Sequence, residues 1–181
     1  MKVDELFSIY SERGSSLYFG EPVTVAEHAL QSAHFAEAAG ASRALIIAAL
    51  LHDIGHLAEP VPEDIADWET DAHHEISGSR YLAACFGPEV YEPVRLHVSA
   101  KRYLCATDPA YFRTLSSASV QTLQLQGGPM SLAEVASFEV EPYCNDAVLL
   151  RRCDDQGKVM GLRTAGFDRY RIWIDRLRMP L

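Results

Sequence analysis

An all-α fold is predicted by three observations. Apolar residues recur at helical spacing, two Ser/Thr–x–x–Glu tetrapeptides sit where helices would open, and no stretch alternates as a half-buried strand would. The first helix is expected over Met1–Arg13, where Val3, Leu6, Phe7 and Tyr10 share a face ahead of Gly14-Ser15-Ser16. A loop with Tyr18 and Glu21 leads to Thr24-Val-Ala-Glu27, which opens a helix to about Ala39, with Gly40 as its stop. Ser42 caps the next helix, which runs through the apolar residues Ala44 to Leu51 into His52-Asp53-Ile54-Gly55-His56 and reads as central and buried. Pro60 to Trp68, with two prolines and several acids, is expected to be an exposed excursion. Further helices are expected over His73–Cys85, Glu89–Leu104, Pro109–Leu125, Ser131 to about Val140, Asn145–Asp154 and Gly166–Leu177.

The length of 181 residues suits one domain, 1–181, and 48% hydrophobic residues suffice for a core without disulfides. Acidic residues outnumber basic ones by 25 to 16, a formal charge of -9, which argues against a broad nucleic-acid surface. A small anion held by local cations remains compatible with that balance, because bound metal ions would concentrate positive charge at one point. Cys85, Cys105, Cys144 and Cys153 show no C-x-x-C spacing, and Met1-Lys2-Val3 opens no basic-plus-apolar leader. Reduced thiols in the cytoplasm are therefore expected. The longest apolar run, Ala44 to Leu51, is far too short to span a bilayer. Oligomeric state is left open.

The chemistry concentrates in Leu50-Leu-His-Asp-Ile-Gly-His56. A carboxylate following so apolar a run needs compensation, and a metal ion supplies it. Adjacent helical residues lie about 100° apart, so His52 and Asp53 can reach one ion, and the two oxygens of Asp53 can bridge two. A bare His-Asp dipeptide would more simply be a hydrogen bond steadying a core helix. The accompanying residues reverse that reading. His28 shares an inward stripe with Val25, Ser32 and Phe35, whereas His34 falls on another face and reads as a surface or supporting residue. His74, His97 and the Asp154-Asp155 pair follow downstream.

The order His28, His52-Asp53, His74, His97, Asp154 resembles the metal-ligand signature of the HD-domain superfamily. Within it the chain looks closest to the mixed-valent di-iron oxygenases that cleave the carbon–phosphorus bond of 1-hydroxyphosphonates. The marks of that branch are Tyr18-Phe-Gly-Glu21, Glu27-His28-Ala-Leu-Gln31, His74-Glu75 with Tyr81-Leu82, His97-Val-Ser-Ala-Lys101, and Gln126-Gly-Gly-Pro-Met130. The resemblance implies a helical bundle with a buried dinuclear site. His28, His52, Asp53 and Asp154 would hold the first metal, with Asp53 bridging to a second that His74 and His97 complete. It also implies two iron ions, Fe(II)/Fe(III), with dioxygen as co-substrate, although ligand type alone does not choose the metal.

Lys101, four residues after His97, would otherwise read as a surface lysine beside Arg102; the resemblance makes it a phosphonate contact together with His56, Ser119 and, more weakly, Thr122. Ser119 lies in Ser116-Ser-Ala-Ser119, where a neighbour could take its place. Tyr18 and Glu21 are cast as a gate that keeps oxygen from reacting before substrate arrives, against the plainer reading of a packed loop tyrosine and an exposed acid. His73 is passed over in favour of His74 on its spacing to Tyr81-Leu82. Tyr170 and Trp173 read as core packing, and Arg151 and Arg152 as solvated, one of them able to orient Asp154.

The leading expectation is therefore an oxygenase that converts a 2-amino-1-hydroxyethylphosphonate-like small molecule to glycine and phosphate. A close variant would take the N-trimethylated substrate and release glycine betaine; Glu21, a carboxylate suited to a free ammonium, favours the primary amine over a quaternary one, which would call for aromatic faces. The alternatives are a metal-dependent phosphohydrolase or phosphodiesterase, which needs the same ligands but no tyrosine gate, and a degenerate module that only binds a partner, disfavoured because all six ligands are present.

Overall fold

A computed structural model of the chain describes residues 3–18, 20–58 and 73–179. The described residues form α1 (Val3–Arg13), α2 (Val25–Ala38), α3 (Arg43–Leu51), α4 (Gly55–Ala58), α5 (His74–Ala83), α6 (Pro88–Thr107), α7 (Pro109–Phe112), α8 (Ser117–Leu125), α9 (Leu132–Glu139), α10 (Cys144–Gln156), a 3-10 turn (Phe167–Arg169) and α11 (Arg171–Leu177). No strand occurs among them; the isolated bridges Leu17–Thr24 and Phe86–Arg178 only tie loops together. The expected all-α class holds. The Pro60–Trp68 excursion lies outside the described residues.

The capping patterns act as expected. Thr24 accepts from the Glu27 backbone while Glu27 returns a bond to the Thr24 N–H, and Ser131 and Glu134 do the same for α9. Ser42 caps α3 by accepting from the Leu45 N–H at 3.1 Å. Every residue from Ala44 to Leu51 is buried, so α3 runs through the middle, against α2, α6, α10 and α11. Fully burying a leucine or isoleucine of this helix contributes about 1.5–3 kcal/mol, which fixes where its C-terminus points. One hydrophobic core draws residues from Val3 to Ile174, and a smaller cluster of Leu96, Ala100, Phe138 and Ala147 lies under α9.

Three local expectations are corrected. Pro109–Leu125 is not one helix: α7 stops at Phe112, because Thr114 bonds back to the Tyr111 carbonyl at 2.7 Å and Ser116 caps a new helix through the Ser119 N–H. Short polar side chains here compete with helical backbone bonds. The closing segment is a 3-10 turn followed by α11, with Tyr170 between them. The third correction bears on the site. Helix α3 ends at Leu51, with His52 as its C-cap and Asp53 in the turn before α4, and not within a continuing helix. Tight bonds from Ile54 N–H to Leu51 O (3.0 Å) and His56 N–H to Asp53 O (3.0 Å) shape this corner. Gly55 permits it: a Cβ there would lie 2.1 Å from the His74 carbonyl oxygen, so only glycine lets α4 approach the start of α5.

Candidate metal centre

Four helices and one turn converge on a buried cluster. His28 comes from α2, His52 and Asp53 from the turn after α3, His97 from α6 and Asp154 from α10, all nearly inaccessible to solvent. His74 opens α5 and is partly buried. Two sets of three could each hold an ion, His28–His52–Asp154 and Asp53–His74–His97, with the ligand atoms of each set within 4.8 Å of one another. Asp53 lies between them. Its Oδ2 is 3.5 Å from His28 Nε2 and 3.3 Å from His52 Nε2, while its Oδ1 is 3.4 Å from His74 Nε2 and 3.7 Å from His97 Nε2. Asp154 Oδ1 is 3.4 Å from His28 Nε2.

The donor chemistry fits metal ions on two counts. Three rings give their Nδ1–H to main-chain carbonyls: His28 to Gly157 O (2.9 Å), His52 to Ala49 O (2.9 Å) and His97 to Val94 O (2.6 Å). Each of these Nε2 atoms then presents a lone pair inward when the ring is neutral. Yet His28 and His52 Nε2 lie 3.2 Å apart, and His74 and His97 Nε2 3.1 Å apart. Lone pairs so close repel unless a cation or a shared proton joins them. In addition, Asp53 Oδ2 and Asp154 Oδ1 are sealed from solvent without a hydrogen-bond donor among the described residues, a costly state that metal coordination relieves.

Electrostatics agree. Burial lowers His28 to about 4 and His97 to about 3, so both are neutral near pH 7. For His52, burial is outweighed by the carboxylates of Asp53 and Asp154, which raise it. Burial also opposes ionisation of Asp53 and Asp154, but His52 and His74 hold the first, and Arg151 and His52 the second, well below the usual carboxylate range.

Around this cluster runs a polar rim. The Tyr18 ring stacks on His28, with centroids 3.8 Å apart, and its phenol is pushed well up by burial and by the Asp53 and Asp154 charges. His56 stacks on His74 at 4.0 Å. Lys101, buried one turn after His97, donates to Thr122 Oγ1 at 2.8 Å. Glu21 Oε1 accepts from Ser116 Oγ at 2.5 Å and lies 3.3 Å from Lys158 Nζ, which donates to Ser119 Oγ at 2.8 Å.

The HD domain matches residues 25–154, well over half of the chain. The chain belongs to the HD-domain family. Over 97% of its length, and 89% of the relative's, it is 42% identical to a (1-hydroxy-2-(trimethylamino)ethyl)phosphonate dioxygenase (glycine-betaine-forming) of Leisingera caerulea. It is 47% identical to a hydroxymethylphosphonate dioxygenase of Gimesia maris, over 93% of this chain and 84% of that one. Within the HD family it belongs with these phosphonate dioxygenases, as an oxidoreductase.

The six candidate ligands named from the HD-family resemblance lie together around Asp53. His73, passed over earlier, turns its side chain 77% to solvent. His34 is half-buried against Phe35 and belongs to neither group of candidate ligands. Tyr170 is buried in the core, and Trp173 packs on it with Arg43 and Arg169 over its ring. Arg151 is a correction: it is not solvated. Its Nη1 lies 2.8 Å from Asp154 Oδ2, and its other nitrogens bind Asp155 and the Tyr111 hydroxyl. The expectation that one of the two arginines orients Asp154 is met by Arg151, three residues before it, so its burial is the only part that differs. Lys158 went unremarked, although it follows Asp154 by four residues as Lys101 follows His97. No described helix is long and apolar enough to cross a membrane, and all four cysteines are free thiols.

Proposed function

We propose that the chain, as one HD domain over 1–181, is a di-iron oxygenase that cleaves the carbon–phosphorus bond of a small 1-hydroxyphosphonate. The favoured substrate is 2-amino-1-hydroxyethylphosphonate, giving glycine and inorganic phosphate. The observation that carries the reading is Asp53, one carboxylate with a different oxygen toward each histidine pair. His28, His52, Asp53 and Asp154 would hold one iron, and Asp53, His74 and His97 the other. Bound as Fe(II)/Fe(III), the pair supplies open positions for substrate oxygens and for dioxygen, and the redox capacity to oxidise C1. One substrate and one O2 contain the atoms of one glycine and one phosphate, so no further reductant is needed.

The protein's own contribution is orientation and charge. Lys101 and Lys158, with the hydroxyls of Ser119 and Thr122 already on them, form two cationic donors that match a phosphonate dianion. His56, held flat against His74, offers a third donor. Tyr18, lying over the His28 ring, shields that face until substrate takes its place, and Glu21 is the carboxylate nearest to Lys158 that a substrate ammonium could attract. The two named relatives act on a quaternary-amine and a one-carbon hydroxyphosphonate, and the hydroxymethyl compound is the second reading because that relative is the more identical.

The test is direct. Iron-loaded protein is partly oxidised, its electron paramagnetic resonance recorded, and each of the three hydroxyphosphonates added with oxygen. A coupled mixed-valent signal perturbed by substrate, with phosphate and glycine formed in equal amounts, is expected. Oxygen-independent hydrolysis of a phosphate ester, with every hydroxyphosphonate left intact, would return the chain to the hydrolase reading.

A further inference from the structure

Gln31 lies on α2 one turn after His28 and is 1% exposed. Its side-chain amide makes a two-bond clamp on the backbone of Val159: Nε2 donates to Val159 O at 2.9 Å, and Oε1 accepts from Val159 N–H at 2.9 Å. The partner is thus a peptide group in a loop, 128 positions away in sequence. Val159 is itself 46% exposed, so its side chain contributes little; the backbone is what α2 grips. The clamped carbonyl also closes a turn by accepting from Leu162 N–H at 3.3 Å, with Gly161 at φ 72°.

Immediately before the clamp stands Lys158, bracketed between two fixed points. On one side Gly157 is tied to the end of α10 by its N–H to Asp154 O (2.9 Å). A Cβ on Gly157 would lie 2.7 Å from Ser32 Oγ and 3.1 Å from His28 Nδ1, so the chain there is pressed against the His28 face of α2. On the other side is Gln31. Lysine otherwise carries much rotational freedom, and a loop lysine would ordinarily extend into solvent. Here its side chain is 13% exposed, with its ammonium between Ser119 and Glu21 and 6.0 Å from the Tyr18 ring.

We propose that Gln31 is a positioning residue for anion binding: by clamping Val159 it holds Lys158 over the rim, and so sets affinity for the phosphonate group without touching metal or substrate. This rests on the reading of Lys158 as a phosphonate contact. His28 keeps its own bond to Gly157, which α10 anchors independently, so metal loading does not pass through the clamp.

Inorganic phosphate serves as the probe, bound anaerobically to iron-loaded full-length protein and followed by calorimetry. Wild type, Gln31→Leu, Gln31→Glu, Lys158→Ala and the Gln31→Leu/Lys158→Ala double variant are compared, with iron content and thermal unfolding measured for each. Gln31→Leu is expected to weaken phosphate by about tenfold or more, as loss of one well-placed charge-assisted hydrogen bond does. Iron stoichiometry should be unchanged, and KM should rise while kcat is largely kept. Gln31→Glu, which preserves volume and the acceptor for Val159 N–H but turns a second oxygen on the Val159 carbonyl, should also weaken phosphate. The double variant should bind no worse than Lys158→Ala alone, since the clamp acts through that lysine. Wild-type phosphate affinity in Gln31→Leu, additive losses in the double variant, or loss of iron would each overturn the proposal. A wild type that binds phosphate but turns over no hydroxyphosphonate would instead sink the functional reading and leave the clamp standing.

Discussion

The ligand cluster and the rim around it are built from opposite materials. Cluster residues sit on or at the ends of core helices, and three of the histidines are locked by Nδ1 bonds to main-chain carbonyls. Apart from Lys101, which stands on the long helix α6, the rim is assembled from loops and short helices, and its groups satisfy one another: Glu21 with Ser116 and Lys158, Lys101 with Thr122. In the cluster, polar atoms remain unmatched, Asp53 Oδ2 and Asp154 Oδ1 among them. On the proposed reading, rigid walls leave the ion-holding site short of partners, while the rim, which would exchange substrate for solvent, keeps partners it can trade.

The largest break of this contrast is Asp53→Ala. Removing the carboxylate between both groups should abolish loading of either ion and reduce turnover to background, read by elemental analysis and resonance spectra, while the fold persists by circular dichroism. Next comes Arg151→Met, which removes the cation behind Asp154. Metal affinity should fall about 10–100-fold, the usual cost of losing a ligand's hydrogen-bond partner, measured by competition with a chelator. Lys101→Ala belongs to the rim, so the ions should stay while KM for the hydroxyphosphonate rises by about 10–100-fold, the equivalent of one hydrogen bond to a charged group. Loss of both ions in that variant would erase the distinction between the regions.

The smallest effect is far from both. Glu134, at the start of α9, is held down to about 2 by the Ser131 N–H and then by Arg102. Its folded value is lower than the unfolded one, so its contribution is present above about pH 4.5 and lost as pH falls towards about 2. Glu134→Gln should therefore flatten the acid limb of a thermal-stability profile slightly and leave turnover at neutral pH unchanged.

The legible parts of the fold were those with local causes. Thr24–Glu27, Ser42 and Ser131–Glu134 announced helix starts because caps act within one turn. The break between α7 and α8 was missed, since Thr114 and Ser116 read equally well as helix interior until their side chains turn to the backbone. Arg151 was taken as solvated because a charged side chain is usually exposed, and its burial depends on Tyr111, Asp154 and Asp155 closing round it.

By itself the sequence determined the helical class and the residue types that can bind metal, while the set of six came from their HD-family order, because a lone His-Asp pair serves equally well as a hydrogen bond that steadies a core helix. Tertiary structure alone decided that Asp53 leaves its helix to lie between two histidine pairs, and that Gln31 grips a loop bearing Lys158. Both depend on backbone direction at helix ends and on contacts across 20 to 130 positions of chain, on the order of whole-domain separations, where no periodicity in the sequence carries the information.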